Sequence, residues 1–285
     1  MRFSYLQIAK KRVKYIVAVF CRFLKNIRHG DVYMNTAEAN NSSCKKYNRI
    51  LIKLSGEALA SSPDGKTKGD SVLNYSTLRV ICEKIKEVHD MGTDIAVVVG
   101  GGNIWRGAQG VDFDRVRSDH MGMLATTINS LALQDTLEHM GIDTRVMTAV
   151  EMKQFAEPYI RNMAMSHLNK KRVIIFGCGI GSPYFSTDTT AVLRAKEINA
   201  DIVLFAKNGT DGIYDSDPNA ENSHAKFLHH PDYDYILSNK LGVIDGTAAA
   251  FGQKNKIKCC VFNLNDPENI VRIVKGEDIG SIVEE

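Results

Sequence analysis

Short unbroken apolar runs alternate along this chain with longer stretches in which apolar residues recur every three or four positions. The unbroken runs predict strands at 49–54, 94–99, 144–149, 172–177 and 201–206, then at 258–262 and close to 279–283. The three-to-four periodicity predicts helices at 76–92, 120–141 and 187–200, with two more around 233–241 and over 245–255. Gly92 and Gly141 stand where the first two of these helices should stop. Continuously apolar strands such as DIAVVV suit burial on both faces, so the alternation argues for an α/β protein with a largely parallel sheet.

The pattern starts only near Tyr47. Residues 1–46 therefore read as an N-terminal extension with a polar linker, and 47–285 as the folded domain. Residues 1–30 hold eight Lys/Arg and no acid; removing these eight from the formal +3 leaves about −5 for the rest, so the body is mildly acidic. That balance gives no support to nucleic-acid binding. The extension has three readings: a membrane-surface helix, a targeting peptide, or sequence upstream of a true start at Met34. No run of eighteen apolar residues occurs, and the six cysteines form no C-x-x-C pair, which points to a reduced, cytoplasmic protein without a structural metal.

Three glycine-rich segments follow strands: KLSGEAL (53–59), GGGNIWRG (100–107) and GCGIGSPYFSTD (177–188). Backbone N–H groups freed of side chains can converge on an anion there, at the sheet edge where open α/β proteins bind ligands. The dinucleotide fingerprint fails because Trp105 and Ser182 stand where glycine or alanine is required, and the phosphate-loop pattern fails at Ala60. Lys53, inside an apolar strand, is costly unless paired, and fits a point charge aimed at a phosphoryl group; Arg106 adds a second cation. Asp119, Asp188 and Asp245 each fall at a predicted helix start, where a carboxylate can cap the helix, act on a ligand, or both. Residues 207–218 have turn composition with three aspartates but lack the glutamate of a calcium loop.

From about Arg49 onward the chain resembles the bacterial UMP kinases of the amino acid kinase superfamily. The segments that carry the likeness are ILIKLSGEAL, VVVGGGNIWRG, SDHMGMLATTIN, GSPYFSTDTTAVLRAKEINAD and DGIYDSDP. DHMGMLAT together with PYFSTD separates it from the aspartate, glutamate and acetylglutamate kinases. The resemblance implies a three-layer αβα sandwich, a homohexamer, and Mg²⁺-dependent transfer of the ATP γ-phosphoryl group to UMP. It assigns Lys53, Leu54, Ser55 and Gly56 to the ATP phosphates, and Gly102 and Arg106 to the junction of the nucleotides. Asn208, Tyr214 and Asp217 would hold the adenosine end. Gly101, Asp119 and the loop Ile180, Gly181, Ser182, Pro183, Tyr184, Phe185, Ser186 and Thr187 would hold UMP. Asp188 and Asp245 match the family's catalytic acids, for metal and lysine positioning.

The chain departs from the family where members commonly carry threonine at the position of Ile180 and asparagine at that of Ser182. The segment linked in many members to GTP activation is replaced by the longer ASSPDGKTKGD. Other readings are a kinase of the same fold acting on a carboxylate or carbamate, and a nucleotide-binding sensor without turnover.

Overall fold

The computed structural model describes residues 45–61, 71–106, 113–218, 220 and 224–285. The N-terminal extension up to residue 44 and the predicted turn SPDGKT lie outside the described residues.

β1 (Arg49–Leu54) and β2 (Asp94–Val99) form as the apolar runs predict, joined through a short 3-10 turn (Gly56–Leu59) and α1 (Tyr75–Asp90). α2 (Arg115–His139), β3 (Thr144–Thr148), β4 (Glu157–Pro158), α3 (Arg161–Asn169) and β5 (Val173–Gly177) follow. Then come α4 (Thr187–Glu197), β6 (Ile202–Lys207), the hairpin strands β7 (Ile213–Tyr214) and β8 (Phe227–Leu228), and α5 (Tyr233–Ser238). α6 (Gly246–Asn255), β9 (Cys259–Asn263), α7 (Glu268–Lys275) and β10 (Ser281–Val283) complete the order.

Eight strands make one sheet in the order β10-β9-β6-β1-β2-β5-β3-β4, with only β10 antiparallel to its neighbour. Helices cover both faces, which makes three layers. Alternate residues of β1 show why: Ile50, Ile52 and Leu54 pack with Ile81 and Ile85 of α1, Leu133 of α2 and Val271 of α7. Leu51 points the other way, into a second core with Leu168 of α3, Val192 of α4 and Ala248 of α6. Lys53 shares that second face, at register positions opposite Val98 and Phe205.

Gly92 and Gly141 take φ values of 81° and 83° just past the ends of α1 and α2, the left-handed turn a helix terminator needs. α2 starts five residues before its predicted position because Asp114, not a later aspartate, accepts the Arg117 N–H and caps it. Asp119 is consequently one turn inside the helix. α3, α7 and the β7–β8 hairpin were not expected from periodicity. α3 buries only Ala164, His167 and Leu168, too sparse a stripe to stand out. α7 is rich in β-branched residues, which have weak helix propensity; it forms against α1, with Ile270, Val271, Ile273 and Val274 buried. Cys82, Cys178, Cys259 and Cys260 are free and buried, and burial pushes the thiols of Cys82, Cys259 and Cys260 up to about 12.

Asn74 caps α1, its side-chain oxygen accepting the N–H groups of Ser76 (3.0 Å) and Thr77 (3.2 Å). Asn74→Ala is expected to cost about 1 kcal/mol, and Asn74→Ser to recover most of it, in urea denaturation. Equal loss in both variants would mean the cap contributes nothing.

Candidate active site

The carboxyl ends of β1, β2, β5 and β6 lie side by side at the middle of the sheet, and the three glycine-rich segments leave from there. The first two are fitted to each other. An added Cβ on Gly56 would lie 2.6 Å from the Gly100 carbonyl oxygen and 2.8 Å from the Gly102 nitrogen, so only glycine lets the loops approach this closely. The buried Asn129 of α2 holds the second loop, donating to the Gly100 carbonyl and to Asn103 Oδ1, both at 2.7 Å. Asn103 returns a bond to Asn129 Oδ1 at 3.0 Å. An amide pair, one member from the loop and one buried in α2, thus sets the shape of its glycine run.

Lys53 meets its partner here. Its Nζ lies 2.8 Å from Asp188 Oδ1, and Lys207 Nζ lies 3.1 Å from Asp188 Oδ2. The first contact is ionic in character, since no well-directed hydrogen bond reaches Oδ1. Burial by itself would raise the Asp188 pKa, but the two ammonium groups outweigh it and hold the carboxyl below the ordinary range. For Lys207, burial and the neighbouring Lys53 lower the pKa, against the pull of Asp188. Asp188 does not cap α4: Ser186 does, accepting the N–H groups of Asp188 and Thr189 at 3.1 and 3.0 Å. That frees the Asp188 side chain for the lysines. Lys207, read from the sequence as the first residue of a turn, is the last residue of β6, and only the pairing of β6 with β1 brings it to this site.

Arg106 stands at the surface, ion-paired with Glu57 and donating from Nε to the Gly102 carbonyl at 3.4 Å. Leu54 contributes no side chain to the site: it is fully buried, and its carbonyl accepts the Gly100 N–H at 2.9 Å. Ser55 occupies the first position of the turn that follows.

Beside the lysines a pocket of about 550 Å³ opens between α2 and the loop after β5. Gly101, Asp119, Ile180, Ser182, Phe185 and Thr187 line it, and so do Trp105, Gly122, Met123 and Thr126. Residues 119, 122, 123 and 126 share one helical face, a spacing visible in the sequence but not used there. Thr126 also accepts the Cys178 N–H at 2.9 Å. Gly181, Pro183, Tyr184 and Ser186 do not line the pocket; Tyr184 is 66% exposed and left-handed, with φ of 70°. Asp119 is not a cap but a clasp, accepting the Tyr184 N–H at 2.8 Å and pairing with Arg115 at 3.0 Å.

A second, larger cleft of about 970 Å³ is lined by Thr210, Tyr214, Asp217 and residues 239–243. Asn208 lies short of it, donating to Ser61 at 3.5 Å. Asp245 caps α6 through Oδ1, and its Oδ2 accepts hydroxyl groups of Ser186 and Thr189. Both Asp188 oxygens face lysines, and both Asp245 oxygens accept hydrogen bonds. No group of three metal-ligating side chains occurs among the described residues.

Asp188→Asn leaves the buried Lys53 and the partly buried Lys207 without their shared counter-charge, and should destabilise the protein by about 3 kcal/mol or more at pH 7. The Lys207 pKa, already lowered by burial, then falls further below the unfolded value near ~10.4, so the unfolded chain binds more protons and stability rises with pH. Urea denaturation of the variant should therefore recover toward wild type as pH goes from 7 to 10. A gap that stays constant would contradict the charge assignment.

The amino acid kinase family signature matches residues 48–274. Two uridylate kinases of Limosilactobacillus reuteri, one from strain DSM 20016, are 52% and 51% identical over 241 residues, covering 84% of this chain and 98% of theirs. Among solved structures, UMP kinase from Bacillus anthracis superposes with a TM-score of 0.78 at 38% identity, covering 84% of this chain and 96% of that one. UMP kinase from Ureaplasma parvum gives 0.76 at 37% identity, over 84% and 99%. With its sheet order, its paired glycine loops and these likenesses in agreement, the chain belongs to the amino acid kinase family and, within it, to the uridylate (UMP) kinases.

Proposed function

We propose that this chain transfers the γ-phosphoryl group of MgATP to UMP, giving UDP and ADP, with Lys53 and Lys207 drawing the phosphates together. The observation that carries this reading is the two-lysine, one-aspartate cluster set between two clefts. Thr187, next to Asp188, lines the smaller cleft, and Thr210, three residues past Lys207, lines the larger. The smaller cleft is assigned to UMP and the larger to ATP.

Phosphoryl transfer demands positioning and charge neutralisation more than covalent help from the protein. Two anions must approach, and a net positive buried cluster offsets their repulsion where water is scarce. A phosphate monoester with a second pKa near ~6 is already largely dianionic at pH 7, so the acceptor needs no general base. The exposed His120 beside Asp119 fits that account. Magnesium enters as part of the nucleotide substrate, held on phosphate oxygens and screening their charge. Arg106 exchanges Glu57 for phosphate when the nucleotides are in place. Ile180 offers the base an apolar wall with no hydroxyl, so uracil is read by Ser182 and by backbone groups.

The enzyme works as a homohexamer in the cytoplasm. Leu124 and Ile128 support self-association: they stand one turn apart on the outer side of α2, 53% and 49% exposed. No helix among the described residues is long and apolar enough to cross a membrane.

The decisive assay is ADP release from MgATP with UMP, CMP, dUMP, aspartate and glutamate offered separately. Turnover with UMP and none with the amino acids is expected; nucleotide binding without turnover would replace the kinase by a sensor. Lys53→Ala should lower kcat by about 10²–10³ with much smaller changes in KM. A kcat near wild type would remove Lys53 from the mechanism.

A further inference from the structure

The larger cleft is lined by β7 and by loops, the smaller chiefly by α2 and the loop after β5, and one side chain, Asp245, ties the segment that follows the first wall to the start of α4. Asp245 follows the segment 239–243 that lines the larger cleft, with only the buried Ile244 between them. Its Oδ1 accepts the N–H groups of Thr247 at 2.9 Å and Ala248 at 3.0 Å, which fixes the carboxylate at the start of α6. Its Oδ2 accepts the hydroxyl of Thr189 at 3.1 Å and that of Ser186.

Ser186 is the more telling partner. Its oxygen already accepts two N–H groups at the start of α4, so its single proton is what it has left to give, and that proton goes to Asp245. The residue before α4's first acid, Thr187, lines the smaller cleft, and the acid itself, Asp188, holds Lys53 and Lys207. Asp245 thus joins the segment next to the larger cleft's wall, through hydrogen bonds to Ser186 and Thr189, to the start of α4, where Thr187 lines the smaller cleft and Asp188 holds the lysines.

We propose that Asp245 is a positioning residue that couples the two nucleotide subsites, so that filling one changes affinity at the other. The proposal rests on the assignment of the clefts to ATP and UMP given above. A nucleotide that draws residues 239–243 inward moves the Asp245 carboxylate. Ser186 and Thr189 follow it, and with them the loop that grips the acceptor. By linkage the effect is reciprocal: UMP must alter ATP affinity by the same factor. A plain structural brace between α4 and α6 would stabilise the fold without making one affinity depend on the other ligand.

Two variants separate these cases. Asp245→Asn keeps an oxygen to cap α6, but turns an amide N–H₂ toward a serine whose acceptor capacity is used, so the link is lost and the cap is not. Thr189→Val removes one of the two hydroxyl contacts and leaves the cap untouched. The measurement is calorimetric titration of UMP into the full-length enzyme, with and without Mg²⁺ and the non-hydrolysable β,γ-imido analogue of ATP, and the reverse titration.

In the wild type the analogue should change the UMP Kd by about fivefold or more, and UMP should change the analogue's Kd by the same factor. In Asp245→Asn that ratio should move toward one by at least about threefold, with a smaller shift in Thr189→Val. A wild-type ratio of one, or a ratio unchanged in both variants, overturns the coupling. If Asp245→Asn fails to fold, an unchanged ratio in Thr189→Val overturns it alone. Wild-type enzyme that neither binds nor phosphorylates UMP would overturn the acceptor assignment and the coupling together. That result differs from an active UMP kinase with an unchanged ratio, which removes only the coupling.

Discussion

A buried and a partly buried ammonium group share one buried carboxylate, and most of the site's arrangement answers to that contact. Asp188 sits 2.8 Å from Lys53 and 3.1 Å from Lys207, each supplied by a different element. Removing three charges from water is expensive, and attraction inside the protein repays it only when the partners are held closely. The strand order does the holding: β6 pairs with β1, so both lysines leave adjacent strands near their carboxyl ends, and α4 begins above them. One acid against two bases leaves the cluster net positive.

The second cationic element is of a different kind. Arg106 and Glu57 pair at the surface, where solvent and salt screen the attraction and the net value is about 0–1 kcal/mol. The site thus combines a buried charge cluster with an exposed ion pair. Glycine loops lie between them, one of them shaped by its own Asn103 bonded to Asn129 of α2. Backbone N–H groups remain available there without the bulk that would keep a phosphate away.

The elements that the sequence made legible were those with dense local patterns. β1 and β2 form at the expected residues because an unbroken apolar run suits only a strand buried on both faces. Lys53 was legible for the opposite reason, as a charge in a place where charge is costly. The three glycine segments could be read as a group because each follows a strand. α3 lacked a strong stripe and depended on what it packs against, whereas α7 carries Ile270, Val271, Ile273 and Val274 at helical spacing, a local signal despite its β-branched composition.

The sequence alone was enough to determine an α/β chain with glycine loops at strand ends and a lysine needing an anionic partner, because those features are local. It could not show that Lys207 is the second base, since a residue read as the start of a turn becomes a strand end only by pairing with its neighbours. Nor could it sort the aspartates at apparent helix starts. Asp114 caps α2, which turns Asp119 into a clasp for Tyr184; Ser186 caps α4, which releases Asp188 to the lysines; Asp245 caps α6 and still reaches across to α4. Each of these residues has the same chemistry in isolation. Tertiary structure decides among the roles, because a carboxylate's role is set by which donors the fold places within about 3 Å of it, and those donors come from distant parts of the chain.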